Sequence, residues 1–150
     1  MKIPEINKNQ LITIGIVAVV LILIMVVVWV NWTKLKAWID EKRYEKTYDD
    51  QITKSDVTLT VAQAQGLADK IYAALNGAGT DEKALYAAFE AINSYSDLML
   101  VIKYFGQRKG SWNWFGDASS LSEWIASDCS AKEIATINTI LAGKNINFTF

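Results

Sequence analysis

Histidine is absent from the 150 residues, and cysteine and proline occur once each, as Cys129 and Pro4. Without His, no His-based acid–base pair, Ser-His-Asp triad or His-ligated zinc site can form. The single thiol excludes an internal disulfide and any multi-Cys metal cluster. Lacking a His to activate it, Cys129 is also a poor nucleophile. An excess of either charge is missing too, since 15 Lys and Arg face 16 Asp and Glu for a net charge of −1. A nucleic-acid module needs a dense cationic footprint, so no nucleic-acid partner is expected. No repeat of 20–50 residues and no low-complexity tract is present, which excludes solenoids and disordered tails.

What is abundant is local. Residues 11–30 are apolar at every position except Thr13 and Gly15. Twenty helical residues at 1.5 Å each cover the roughly 30 Å hydrocarbon core of a bilayer. A cleaved signal peptide has a shorter apolar region followed by small residues, whereas Val28-Trp29-Val30-Asn31-Trp32 follows here. The spacing therefore predicts a single transmembrane helix over 11–30 after a tail over 1–10. Trp29, Trp32 and Trp38 cluster at its exit, where indoles suit the headgroup interface. Lys2 and Lys8 precede the span, against Lys34, Lys36, Lys42, Arg43 and Lys46 after it. Positive-inside counting thus places the C-terminal part on the cytoplasmic or interior side.

No Gly intervenes between Gly15 and Gly66, so nothing stops the helix from leaving the bilayer and running to about Gln51. Residues 31–60 are expected to be a stalk and linker, its helix solvated or interfacial, with a non-helical joint over 55–60. Beyond it, stop and start signals define five helices in 61–150. Thr60 with Gln63, Ser120 with Glu123 and Ser130 with Glu133 are capping-box patterns. Thr80 is expected to cap the second helix and Ser94 or Ser96 the third, which Gly106 closes. Ala64, Leu67, Ala68, Ile71, Leu75, Leu85, Phe89, Ile92, Leu98, Val101, Ile102, Phe105, Leu121, Trp124, Ile125, Ile134, Ile137, Ile140 and Leu141 fall at helical spacing on inward faces. Only 146–150 has any strand-like character. The fold class is all-α: a transmembrane helix with a helical stalk and a five-helix bundle.

The run Leu75-Asn76-Gly77-Ala78-Gly79-Thr80-Asp81-Glu82 resembles the G-x-G-T-D-E turn between the first two helices of an annexin repeat. Ile125-Ala126-Ser127-Asp128-Cys129-Ser130 is similar to the acidic turn joining that repeat's fourth and fifth helices. The resemblance covers about 61–142. Single annexin-like repeats also occur in small bacterial and bacteriophage proteins. It implies a hypothetical calcium site made of the carbonyls of Leu75, Gly77 and Gly79 with the carboxylate of Asp128, a donor type that suits a hard cation. The two turns are further apart in sequence than in the family, the extra length falling in 106–118. The resemblance also implies that the first and fourth turns share one pole, with the stalk and the loop before the fourth helix together at the other.

That loop, residues 106–118, combines Arg108 and Lys109 with Trp112, Trp114 and Phe115 between glycines. Trp and Arg are enriched where partner surfaces or headgroup layers are engaged, so these five are the candidate partner or membrane contacts. The expected function is a non-enzymatic single-pass membrane protein that anchors or organises a larger assembly, as a homo- or hetero-oligomer. Its partners would be the lipid bilayer and neighbouring membrane or coat proteins, and the resemblance suggests the membrane of a lipid-containing bacteriophage virion as one setting. A calcium-dependent lipid-binding module is the alternative. A cell-wall hydrolase would have to draw on Glu82, Glu90, Glu123 and Asp128, and all but Glu90 have a capping or dipole explanation.

Overall fold

A computed structural model describes residues 8–110 and 118–150, with side chains from Thr13 onward. Trp112, Trp114 and Phe115 lie outside the described residues. The described residues form six α-helices: α1 (Lys8–Asp49), α2 (Val61–Leu75), α3 (Glu82–Glu90), α4 (Tyr95–Phe105), α5 (Leu121–Asp128) and α6 (Ala131–Gly143). No strand occurs among them, and residues 146–150, the one strand-like stretch in sequence, are irregular. The chain divides into two units, Met1–Glu41 and Lys42–Phe150.

The first unit is helical throughout its described part and long and apolar enough to cross a membrane. Its described apolar side chains are all exposed, Ile14, Leu23 and Val28 at nearly 60% among them. A helix apolar on every side with no protein around it is stable only where its surroundings are apolar as well.

The second unit begins at Lys42, well before Val61, because the last turns of α1 join the bundle instead of standing clear as a stalk. Tyr44 and Tyr48 are half-buried and pack ring against ring at 4.7 Å. The Tyr44 hydroxyl donates to the Ile102 carbonyl at 3.1 Å, and Lys103 pairs with Asp49 at 2.6 Å. The two tyrosines at i, i+4 are the bundle-facing stripe of α1.

The joint between α1 and α2 is a 3-10 turn (Lys54–Asp56) followed by extended chain. It is fastened by Asp97, a fully buried carboxylate in the first turn of α4. Asp97 accepts from the Thr58 N–H at 2.7 Å, the Thr58 hydroxyl at 2.6 Å, the Leu59 N–H at 3.0 Å and the Asn93 N–H at 3.3 Å. Burial pushes the carboxyl upward, but the Thr58 hydroxyl and these N–H groups outweigh it and hold it below the usual carboxylate range. Ser94 caps α4, and its hydroxyl also donates to the Asp56 carbonyl at 2.6 Å.

All three capping boxes form, at Thr60, Ser120 and Ser130. The cap of α3 is Asp81 and not Thr80: the Asp81 carboxylate accepts from the Ala84 N–H at 3.0 Å, while the Thr80 hydroxyl is turned to the Asp128 carbonyl. At the far end of α3, Lys144 donates to the Ile92 carbonyl at 2.8 Å and to that of Glu90, a cation at the negative end of a helix. The core comprises Ile71, Leu85, Phe89, Ile92, Leu98, Met99, Ile102, Phe105, Leu121, Ile125, Ile137 and Leu141, all essentially inaccessible to solvent. Each such side chain contributes roughly 1.5–3 kcal/mol of burial.

Candidate functional site

Two places in the second unit draw on the residues singled out in sequence. The first is where the glycine turn after α2 meets the turn after α5. Gly79 sits at φ +110, open only to glycine, and a Cβ on Gly77 would lie 3.2 Å from the Gly79 carbonyl oxygen. The Thr80 hydroxyl donates to the Asp128 carbonyl at 3.1 Å. The first and fourth turns therefore share one pole. Thr80 also bonds Cys129, whose half-buried thiol is pushed up to about 11, by burial first and then by the negative charges of Glu133 and Asp128.

As a calcium cradle this pole is thin. The four nominated groups carry a single formal charge, and a hard dication takes six to eight oxygens. The Leu75 carbonyl already accepts the Gly77 N–H at 3.0 Å, and Asp128 Oδ2 accepts from the Ser127 hydroxyl at 3.1 Å. The nearby carboxylate of Asp81 serves as a helix cap. Among the described residues no group of three or more His, Cys, Asp and Glu could hold a metal ion.

The second place is the base of the segment between α4 and α5. Gly106, at φ +62, ends α4 and turns the chain outward. Arg108 and Ser119 then pair as an isolated antiparallel bridge, with N–H to carbonyl distances of 3.0 and 2.9 Å. The indole Nε1 of Trp124 donates to the Arg108 carbonyl at 3.1 Å, and the Tyr72 hydroxyl to the Lys109 carbonyl at 2.8 Å. The Arg108 guanidinium is engaged within the bundle. Nε donates to the Phe105 carbonyl and Nη2 to Asp69, both at 2.8 Å. Its Cζ lies 4.9 Å from the Phe105 ring centre and 5.0 Å from that of Tyr72. Tyr72 in turn meets the Trp124 ring edge-on at 5.5 Å.

These bonds tie Arg108 and Lys109 to Ser119, Tyr72 and Trp124 as a closed neck. Of the five candidate contact residues, Arg108 holds the neck and Lys109 is exposed beside it; the other three fall in 111–117. The neck lies against Asp69 and Tyr72 in the second half of α2, not at its start, a correction to the pole expected for it. The last turns of α1 do reach the same end of α4, through Tyr44 and Ile102. Trp29, Trp32 and Trp38 are exposed on the first unit, at 67%, 60% and 56%.

Sequence reasoning missed Asp69, Tyr72, Ser119 and Trp124 as parts of the neck. Asp69 and Tyr72 stand at i, i+3 on α2 and so share a face of that helix. No family model matches the chain, and no curated protein or solved structure is significantly similar to it.

Proposed function

We propose that the chain is a single-pass membrane protein, retained by its N-terminal helix, whose helical domain is a non-enzymatic docking module for a neighbouring protein. The observation that carries this reading is the neck. Six hydrogen bonds, an ion pair and three aromatic rings hold Arg108, Lys109 and Ser119 at the base of a segment bearing Trp112, Trp114 and Phe115. Fixing the ends of a loop lowers the ordering cost that a partner must overcome, and aromatic anchors supply most of the contact energy. Four acidic groups of the bundle have structural duties: Asp81, Glu123 and Glu133 cap helices, and Asp97 fastens the joint. A minor structural protein of a virion membrane, as the resemblance to single-repeat phage proteins implies, would use such a module to organise its neighbours.

The test is a photoreactive benzophenone side chain at Trp114 in the full-length chain, irradiated in native membranes. A discrete protein adduct is expected, and it should be lost when Arg108→Ala loosens the neck. Adducts to lipid alone, or no adduct, would contradict docking.

A further inference from the structure

The stretch of α1 just past the apolar run carries charge of one sign. Residues 31–39 contain Lys34 and Lys36 and neither Asp nor Glu, the next carboxylates along the chain being Asp40 and Glu41. Both lysines are exposed, and neither makes an ion pair among the described residues, although Asp40 stands four residues after Lys36. A lysine placed before its acid is the weaker orientation for such a pair. The two ammonium groups are left to what surrounds the helix.

Depth decides what that is. With the hydrocarbon boundary at Val30, a rise of 1.5 Å per residue puts the backbone of Lys34 about 6 Å and that of Lys36 about 9 Å beyond it. The headgroup layer is about 5–7 Å deep on each side. Helical side chains lean toward the N-terminus of their helix, which for α1 is the lipid end, so the long stems of both lysines carry their charges back into that layer. Asp40 and Glu41, on shorter stems and about 15 Å or more beyond the boundary, stay outside it. Trp29 and Trp32, 67% and 60% exposed, bracket the boundary and hold this depth. Trp32 shares a helix face with Lys36, four residues on, and adds an indole donor beside the ammonium group. Lys34 lies about 160° round the helix from Lys36, so the two meet separate lipids.

Charge then selects the lipid. A zwitterionic headgroup brings its own ammonium group, which repels the lysine, whereas a headgroup of net negative charge offers its phosphate unopposed. No carboxylate of residues 31–39 competes for the lysines at that depth.

Resting on the reading that α1 is embedded in a bilayer, we infer that Lys34 and Lys36, with Trp32 beside Lys36, gather phospholipids of net negative charge around the exit of α1.

The experiment reconstitutes the full-length chain in phosphatidylcholine vesicles with a trace of spin-labelled phosphatidylglycerol or spin-labelled phosphatidylcholine. Electron paramagnetic resonance reads the fraction of each label held at the protein. At low salt the phosphatidylglycerol label should be enriched roughly fivefold, and molar salt should remove most of the excess. Lys34→Gln combined with Lys36→Gln should bring the two labels level, while Lys42→Gln, whose amine pairs with Glu45 at 2.7 Å, should leave the enrichment in place. Equal fractions with the unaltered chain, or an enrichment that survives the double substitution, as it would if Lys2 and Lys8 carried it, would overturn the inference with the membrane reading intact. Failure of the unaltered chain to float with the vesicles would instead sink the membrane reading itself.

Discussion

The indole nitrogen of Trp124 and the carbonyl oxygen of Arg108 are 3.1 Å apart, joining the start of α5 to the chain just past the end of α4. Because the same carbonyl also accepts the Ser119 N–H at 2.9 Å, one oxygen closes the loop base from two sides. Trp124→Phe keeps the ring packing against Tyr72 and removes only the indole donor. It is expected to cost about 1 kcal/mol and to speed hydrogen exchange at Ser119. Arg108→Ala removes the guanidinium bonds and both ring contacts, and should cost more. Thermal unfolding of the detergent-solubilised chain ranks the two, and equal stability of Arg108→Ala and wild type would refute the neck.

Asp97 gives the clearest dependence on pH. Its folded pKa is lowered, so the stability it adds is fully present above the ordinary aspartate value near 3.9 and fades as pH falls through the folded value. Asp97→Asn should lower stability at pH 7 by about 2–3 kcal/mol, the cost of exchanging charged acceptors for an amide beside backbone donors. It should also flatten the acid limb of the stability profile. An unchanged acid limb would contradict the assignment.

Cys129 should be sluggish toward alkylation. With its thiol pushed up to about 11, the thiolate is scarce at pH 8 and the side chain is half-buried. Iodoacetamide should modify it at least tenfold more slowly in the folded chain than in denaturant. The raised value makes the associated stability present below the ordinary thiol pKa near 8.5, to be lost as pH climbs toward 11.

Gly79→Ala tests the turn. A φ of +110 is strained for any residue with a Cβ, so a loss of about 1–3 kcal/mol is expected. Gly66→Ala, inside α2 with open space around the new methyl group, should instead be neutral or stabilise by up to about 1 kcal/mol. Calorimetry of the two variants against wild type separates these signs.

Much of the helical order was legible because its signals are local. Thr60–Gln63, Ser120–Glu123 and Ser130–Glu133 announce helix starts by chemistry confined to four residues, and Gly106 announces an end. The cap of α3 was misread because Thr80 and Asp81 are both competent, and the choice rests on how the turn closes, with the Asp81 N–H reaching the Ala74 carbonyl at 2.9 Å. The roles of Asp97, Lys144 and the Tyr72–Arg108–Trp124 cluster depend on partners 16 to 54 residues away. Periodicity carries nothing about such pairs. Tyr44 and Tyr48 fall within the 31–60 stretch that reads as a solvated stalk, because two tyrosines among mixed charges suit a surface as well as a buried edge.

The central claim is that residues 11–30 stay in lipid while the bundle is displayed in water. Ile22→Cys and Thr60→Cys, each with Cys129→Ser, can be exposed to a water-soluble maleimide in membranes made permeable to it without detergent. Thr60→Cys should label readily and Ile22→Cys only after detergent is added. Equal labelling of both before detergent would contradict the account.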